Sequence, residues 1–218
     1  MNFVERGLLR AVTRAATVGL GEPRPFGNEV RDLFVERCAA LEAPRVLELG
    51  TKRSIPTRST LHRALVPHAG EYLGTDIEPG EDVDLVADVH RLTAVTGEER
   101  FDAVISCSTF EHLKYPHLAA HEVMKTLVVG GLIFVQTHQT LPLHGFPYDY
   151  FRFSREALAG LFGTRMGMQV LATDYEYPAR VLSRDDRLSR WQDAYLNARL
   201  VAEKTSKTPD AYVYELDT

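Results

Sequence analysis

The order of hydrophobic and polar positions along the chain predicts strands that alternate with helices. Strands are predicted at 46–49, 71–76, 82–88, 101–108, 132–137, 168–177 and 211–216. Helices are predicted at 28–41, 59–66, 90–97, 114–128 and 154–163, with Asn28 and Ser154 as N-caps. Apolar strands that alternate with helices indicate parallel βαβ units, and therefore a sheet with helices on both faces.

The chain of 218 residues is predicted to fold as one domain with an extension. An N-terminal helix is predicted over 1–20 and the single domain over 21–218. The first helix is interpreted as docking on the domain, with a basic surface helix or an organelle-targeting peptide as alternatives. A polar helix is predicted over 184–205, and residues 178–209 are interpreted as an insertion near an acceptor site.

Composition narrows the classes of partner. A net charge of −5 argues against nucleic acid, because phosphate binding needs a concentrated basic face. No apolar run approaches the ~20 residues of a membrane span. The two cysteines, Cys38 and Cys107, are far apart and favour a reducing compartment over a disulfide framework. We therefore expect a cytoplasmic protein with a small-molecule partner, and we leave a homodimer open.

Acidic residues close three of the predicted parallel strands, at the edge where such sheets bind ligands. Glu48 precedes Gly50 at the first strand end, and Asp76 and Asp88 close the next two strands. Asp76 suits the hydroxyls of a ribose, and Asp88 with the following backbone N–H suits the edge of adenine. The turn GTKRS at 50–54 lacks the glycines that a pyrophosphate needs. This outline fits S-adenosylmethionine, although each aspartate has a helix cap or a turn as its alternative.

Five motifs in order resemble one known family. They are VLELG (46–50), YLGTDIEPG (72–80), LVADVHRL (85–92), FDAVISCSTFEHL (101–113) and K-x-L-x-x-G-G-x-x-x-V (125–135). Together they resemble the class I S-adenosylmethionine-dependent methyltransferases, most closely the branch with Glu-His-Leu after the fourth strand. The resemblance implies S-adenosylmethionine as cofactor and a Rossmann-like α/β fold, with a seven-stranded, mostly parallel sheet whose last strand is antiparallel.

The resemblance also assigns roles to residues at the strand ends. It implies cofactor contacts for Glu48 and Gly50 at the methionine part, Asp76 and Ile77 at ribose and adenine, Asp88 and Val89 at the adenine edge, and Ser106, Cys107 and Ser108 at the sulfonium. Lys52 and Ser54 stand where the family usually has further glycines, so we expect a turn with a different path. Lys52 or Arg53 either holds the cofactor carboxylate or forms a solvated pair.

The segment 136–153 after the fifth strand is rich in polar and aromatic residues and is predicted to cover the site. A hydroxyl acceptor benefits from a general base, for which His138 and His144 are the first candidates and His112 the third. The predicted substrate-binding residues are Tyr148, Asp149, Arg152 and Trp191. The alternative is that Asp149 pairs with Arg152 structurally and the histidines bond to the backbone. No metal is expected, because magnesium prefers several oxygen ligands and the acids are scattered.

The function that these features favour is O-methylation of a small hydroxylated metabolite or sugar, as in secondary metabolism. N-methylation on the same fold and a non-catalytic nucleoside-binding module are the alternatives. An NAD oxidoreductase is a third alternative, which the glycine-poor turn disfavours.

Overall fold

The computed structural model describes residues 4–8, 11, 28–182 and 191–214. Residues 4–8 are helical, and Val4 and Leu8 within them are exposed. Most of the helix predicted over 1–20, and all of 21–27, lie outside the described residues, so the role of the first helix stays a prediction. Within the described part of the chain, no helix has the length and apolar character needed to cross a membrane.

Seven strands form one sheet in the order β3-β2-β1-β4-β5-β7-β6. They are β1 (Arg45–Leu49), β2 (Glu71–Asp76), β3 (Leu85–Val86), β4 (Phe101–Cys107), β5 (Leu127–His138), β6 (Met168–Leu182) and β7 (Trp191–Lys204). The first five strands are parallel, and β7 runs antiparallel to both β5 and β6. The predicted fold class is confirmed.

Helices cover both faces of this sheet. They are α1 (Glu29–Ala39), α2 (Thr93–Thr96), α3 (Pro116–Thr126) and α4 (Arg155–Ala159). Short 3₁₀ turns lie at Arg63–Leu65, Val89–Arg91, Phe110–His112 and Thr164–Met166. Two hydrophobic cores result, one between α1 and the sheet and one between α3, α4 and the opposite face.

The alternation of side chains along β1 explains the two cores. Val46 packs in the core that contains Phe34 of α1, whereas Leu47 and Leu49 pack in the core that contains Met124 of α3. Successive residues of a strand point to opposite faces, so a strand covered on both sides is mostly apolar, as β1 is apart from Arg45 at its start and the buried Glu48. This burial is why the strand signal at 46–49 was strong.

The helix predicted over 184–205 is wrong over 191–204, which form β7 inside the sheet, and residues 184–190 lie outside the described part of the chain. Residues 197–204 of this strand are almost all buried and yet include polar side chains, among them Arg199 and Lys204 at 1% exposure. Arg199 pairs with Asp174 at 2.7 Å and Glu176 at 3.0 Å, and Lys204 donates to the carbonyl of Leu127 at 2.7 Å. These partners compensate the buried charges, and they are not visible in the sequence of the strand itself. The proximity of 178–209 to the acceptor stays a prediction.

Other boundaries also differ from the predictions. The strand at 211–216 is wrong over 211–214, which have no regular structure, and 215–216 lie outside the described residues. The helix predicted at 59–66 is reduced to the 3₁₀ turn Arg63–Leu65, and the strand at 82–88 is reduced to β3. Asn28 precedes α1 without a side-chain cap, whereas Ser154 accepts a hydrogen bond from the backbone N–H of Ala157 at 3.0 Å.

Candidate functional site

The ends of three adjacent strands bring the predicted cofactor residues to one edge of the sheet. Leu49, the last residue of β1, pairs with Thr75 of β2 and with Ser106 of β4. The residues that follow these strands therefore line up side by side. Asp76 lies beyond Thr75, and Cys107 lies beyond Ser106.

Asp76 is held by two backbone amides. One carboxylate oxygen accepts from the N–H of Lys52 at 3.0 Å, and the other accepts from the N–H of Glu78 at 3.1 Å. Each carboxylate oxygen has two lone pairs, so acceptor capacity remains for a ligand. Ile77, the next residue, is 66% exposed and presents an apolar surface beside that carboxylate.

Asp88 caps the short turn Val89–Arg91. One of its carboxylate oxygens accepts from the backbone N–H of His90 at 3.0 Å and lies 2.7 Å from Nδ1 of the same histidine. Desolvation raises the pKa of Asp88, but the hydrogen bonds from His90 outweigh it and the pKa lies below its ordinary value. The structure thus shows the capping alternative, while the side chain itself stays exposed and Val89 is buried.

Glu48 is buried and its carboxylate is engaged by neighbouring side chains. It lies 2.7 Å from Nδ1 of His62, accepts from the backbone N–H of His62 at 3.0 Å, and accepts from the hydroxyl of Tyr72. Desolvation and the nearby carboxylate raise the pKa of Tyr72. These contacts use most of the acceptor capacity predicted to face the methionine part of the cofactor.

The turn at Gly50 needs glycine at that one position. Gly50 has φ +72°, and a Cβ there would lie 2.3 Å from Oγ1 of Thr109. The next residue, Thr51, donates its backbone N–H to the carbonyl of Thr75 at 3.0 Å. The turn therefore packs directly between the ends of β2 and β4.

The two basic residues that replace the family's glycine-rich stretch pair with acids of the loop after β2. Lys52 pairs with Glu78, and Arg53 pairs with Asp82 at 2.9 Å and Glu81 at 2.7 Å. The hydrogen bond from Arg53 is the largest cause that lowers the pKa of Asp82 to about 2. The structure shows the ion-pair alternative. These pairs fix the conformation of the turn in which the family usually has further glycines.

The end of β4 lies between the predicted cofactor residues and the histidines. Its residues are Ser106 and Cys107, and Ser108 follows directly. Ser106 is fully buried, and its hydroxyl has no hydrogen-bonding partner within the described residues. Desolvation raises the pKa of Cys107 well above its ordinary value, and nearby carboxylates add to the shift. The thiol therefore stays protonated and is a small lining group, not a nucleophile. Ser108 is exposed at φ +52°, and its hydroxyl lies 3.4 Å from Nε2 of His138.

Three histidines surround a buried carboxylate at the ends of β4 and β5. We call Glu111, His112, His138 and His144 the imidazole cluster. Oε2 of Glu111 accepts from the hydroxyl of Thr137 at 2.6 Å, whereas Oε1 lies 3.2 Å from Nε2 of His138 and 3.9 Å from Nε2 of His112. The Glu111 side chain is 0% exposed, so its charge is shielded from solvent.

The rings of the three histidines are in contact. His138 and His144 stack with centroids 4.8 Å apart, and His112 meets His144 edge-on at 5.0 Å. Desolvation lowers the pKa of His138, and the other two histidines and Arg152 add to this effect, although the Glu111 carboxylate opposes it. His138 is therefore held largely as the neutral imidazole, the form that can accept a proton.

The loop after β5 is fixed over the cluster by its own backbone. The carbonyl of Glu111 accepts from the N–H groups of Tyr150 at 3.0 Å and Phe151 at 3.1 Å. Gly145 in the same loop has φ +63°, and a Cβ there would lie 2.6 Å from Cε1 of His112. Glycine is therefore required where the loop passes the His112 ring.

Asp149 and Arg152, predicted to bind substrate, clamp this loop instead. Arg152 forms two hydrogen bonds to the Asp149 carboxylate, which also accepts from the backbone N–H of His144 at 2.9 Å. Hydrogen bonds from Arg152 are the largest cause that holds the pKa of Asp149 below its ordinary range. Arg152 also donates to the carbonyls of Leu141 and Pro142, each at 3.1 Å. The structural alternative is thus supported for this pair.

The other two predicted substrate residues are placed differently. Tyr148 is 58% exposed, and its carbonyl lies 2.8 Å from Nδ1 of His112. The backbone of Trp191 begins β7, opposite Leu182 of β6, and its side chain lies outside the described part of the structure. Substrate roles for both residues stay predictions.

Glu111 is the member of the cluster to which the sequence reasoning gave no role. Its place in the Glu-His-Leu motif was noted, and an acid beside His112 after a strand end was the available signal. Its burial against Thr137 and His138 depends on the pairing of β4 with β5. That pairing could not be seen from the motif alone.

Comparison with known proteins gives a family match and fold matches. The sequence model of a family described as a methyltransferase domain matches residues 57–135. No curated protein sequence matches the chain significantly.

Three solved structures are similar. A candidate methyltransferase of Bacillus halodurans C-125 is 12% identical with a TM-score of 0.58, over 82% of this chain and 99% of that one. The 1,6-didemethyltoxoflavin-N1-methyltransferase of Burkholderia thailandensis, solved with 1,6-didemethyltoxoflavin and S-adenosylhomocysteine, is 14% identical with a TM-score of 0.54, over 94% and 92%. A candidate methyltransferase of Haloferax volcanii, in complex with the Trm112 methyltransferase activator, is 18% identical with a TM-score of 0.52, over 82% and 90%.

At these identities the solved structures show the fold, and the family match covers the region from before β2 into β5. Together they show that the chain has the fold of the class I S-adenosylmethionine-dependent methyltransferases and that residues 57–135 match a methyltransferase domain. The predicted resemblance and cofactor are confirmed at the level of this class.

Proposed function

We propose that the protein transfers a methyl group from S-adenosylmethionine to a hydroxyl group of a small metabolite or sugar. The observation that carries the proposal is the imidazole cluster, which lies at the ends of β4 and β5 beside Ser106, Cys107 and Ser108. A hydroxyl acceptor must lose a proton during transfer, and neutral imidazoles are suited to take it near neutral pH. His138 is the first candidate for this role, because it contacts both Ser108 and Glu111.

The residues of the strand ends fit the cofactor in part. Asp76 keeps acceptor capacity for ribose hydroxyls, exposed Ile77 offers a surface for a base, and Asp88 is exposed at the adenine position. The buried hydroxyl of Ser106, without a partner in the described chain, suits the methionine end. Glu48 fits less well, since His62 and Tyr72 already engage its carboxylate.

When bound, the cofactor supplies a methyl group activated on its sulfonium. The chain's own residues align the acceptor, accept its proton and exclude water. The loop after β5 is held in place to exclude water. It is fixed by the ion pair of Asp149 with Arg152 and by the hydrogen bonds from Tyr150 and Phe151 to the carbonyl of Glu111. Asp149 and Arg152 therefore act by positioning the loop, with Tyr148 and Trp191 as the remaining candidates for acceptor contact.

Calorimetric binding followed by an acceptor screen tests the proposal. We expect S-adenosylmethionine and S-adenosylhomocysteine to bind, NAD not to bind, and S-adenosylhomocysteine to form with hydroxylated acceptors, as detected by mass spectrometry. Turnover with amines alone would replace O-methylation by N-methylation, the activity in the name of the Burkholderia neighbour. Cofactor binding without turnover on any acceptor would leave a non-catalytic binding module.

The same proposal includes a cytoplasmic location and a place in secondary metabolism. The free thiols of Cys38 and Cys107 support a reducing compartment. A small acceptor is supported by the clamped loop over the cluster, which leaves the histidines half-buried or buried.

A further inference from the structure

Two buried polar atoms of the imidazole cluster have no hydrogen-bonding partner among the described residues. They are Nδ1 of His138 and Oε1 of Glu111, which lies 3.2 Å from Nε2 of His138 but without the geometry of a hydrogen bond. Glu111 is 0% exposed and the His138 side chain is 11% exposed, so solvent does not readily satisfy these atoms. Native proteins pair almost all buried polar atoms, and each exception therefore calls for a partner or a role.

The donors of the cluster already lie close together. One ligand atom each from Glu111, His138 and His144 lies within 4.8 Å of the others, and the same holds for His112, His144 and Asp149. Donors around a tetrahedral zinc ion, at bond lengths of about 2.0–2.2 Å, are roughly 3.4 Å apart. Small side-chain rotations would therefore bring the first group to bonding distance.

Two of the histidines have their tautomer set by the backbone. Nδ1 of His112 lies 2.8 Å from the carbonyl of Tyr148, and Nδ1 of His144 lies 3.1 Å from the carbonyl of Pro142. A carbonyl only accepts, so each Nδ1 carries the hydrogen and each Nε2 keeps a lone pair. Arg152 lies 3.4 Å from the same Nδ1 of His144, a longer contact than that with the carbonyl. Metal-binding histidines characteristically donate their second N–H in this way.

The charges also favour a cation at this point. Asp149 is neutralised by Arg152, whereas Glu111 has its charge buried among imidazoles. One carboxylate with two imidazoles is a donor set for zinc and similar first-row ions, whereas magnesium and calcium prefer oxygen ligands alone.

We infer that Glu111, His138 and His144 bind one divalent transition-metal ion, zinc by preference, and leave an open coordination position towards Ser108. The inference replaces the sequence-based expectation of no metal, which considered magnesium and did not include Glu111. Its catalytic role rests on the proposed function: a hydroxyl at the open position would lose its proton more readily. An imidazole lone pair that binds a metal cannot also accept a proton, so with the ion bound the role proposed above for His138 would pass to Nε2 of His112, which stays outside this donor set.

Metal loading of the tag-free chain tests the inference without reference to activity. The protein is stripped with a chelator, loaded with Zn²⁺ or Co²⁺ and desalted, and its metal content is measured by mass spectrometry. We expect about one ion per chain and a visible absorption band for the cobalt form. His144→Ala and Glu111→Gln should weaken Zn²⁺ binding at least about tenfold by calorimetry.

His117→Ala is the matched control, because this exposed histidine of α3 contacts Tyr212 outside the cluster. It should bind metal like the unchanged protein, and circular dichroism should show that all variants fold. If Glu111→Gln does not fold, His144→Ala on the loop decides the test. No retained metal, or equal retention in His144→Ala and His117→Ala, overturns the inference. S-adenosylmethionine binding, measured on the same stripped protein, reports separately on the proposed function.

Discussion

The two halves of the site are built in different ways. On the proposed adenosine side, backbone amides hold both carboxylates: those of Lys52 and Glu78 bind Asp76, and that of His90 binds Asp88, which is exposed. On the proposed acceptor side, His138 and His144 come from separate segments and pack near the buried carboxylate of Glu111. The first half depends on backbone hydrogen bonds at the strand ends, whereas the second half depends on side chains that only the complete fold brings together. We therefore expect changes in the two halves to affect different measured quantities.

The largest expected effect is on the acceptor side. His138→Ala removes the ring that contacts Glu111, Ser108 and His144. Turnover with a hydroxyl acceptor should fall by roughly 10²–10⁴-fold, the usual contribution of a positioned proton acceptor. The dissociation constant for S-adenosylmethionine should stay within about twofold, because the ring lies beyond the adenosine side.

Steady-state kinetics and calorimetry on the same preparation check this separation. His68→Ala is the control, since His68 contacts the carbonyl of Cys38 away from the cluster. A comparable loss of cofactor affinity in His138→Ala would show that the two halves are not independent.

The difference between the halves also explains what the sequence could predict. The strand-end acids follow apolar runs directly, so the positions of Asp76 and Asp88 at this edge of the sheet could be predicted from the pattern alone. The histidines of the cluster were identified by type, yet their convergence on Glu111 required the adjacency of β4 and β5 and the return of the loop to the Glu111 carbonyl.

The errors have the same origin. β7 was predicted as a helix because Arg199 and Lys204 make its pattern polar, and their partners Asp174, Glu176 and Leu127 lie on other strands. The contacts of His62 and Tyr72 with the Glu48 carboxylate could not be predicted either, and the cofactor role of Glu48 stays a prediction. In each case a buried charge is compensated by residues distant in the chain.

A smaller effect is expected on the adenosine side. Asp76→Ala removes acceptors for the ribose and also frees the backbone N–H of Lys52. Losing charge-assisted hydrogen bonds should cost about 1–3 kcal/mol, which is roughly a 5- to 150-fold weaker binding of S-adenosylmethionine. Turnover at saturating cofactor should change much less.

Two companion variants sharpen this measurement. Asp76→Asn keeps an acceptor for one amide but removes the charge, so it should lie between the unchanged protein and Asp76→Ala. Glu98→Ala removes an exposed carboxylate that pairs with Lys125 and should leave cofactor binding unchanged. Calorimetry that gives the same dissociation constant for Asp76→Ala and Glu98→Ala would remove Asp76 from the site.

The smallest expected effect is on the thermal stability that the ion pair between Arg53 and Asp82 gives to the turn after β1. Asp82 accepts from Arg53 and Ser59, and its folded-state pKa is lowered from 3.8 to about 2. A carboxylate whose pKa is depressed by folding stabilises the folded state above its unfolded pKa, and this contribution is lost as the pH falls through the folded pKa. The melting temperature of the unchanged protein should therefore exceed that of Asp82→Asn at pH 5, and the difference should shrink between about pH 4 and pH 2.

Because Arg53 pairs partly in solvent, added salt should also reduce this difference in melting temperature at pH 5. A difference that is independent of pH would mean that Asp82 stabilises the turn through its hydrogen-bonding shape and not through its charge.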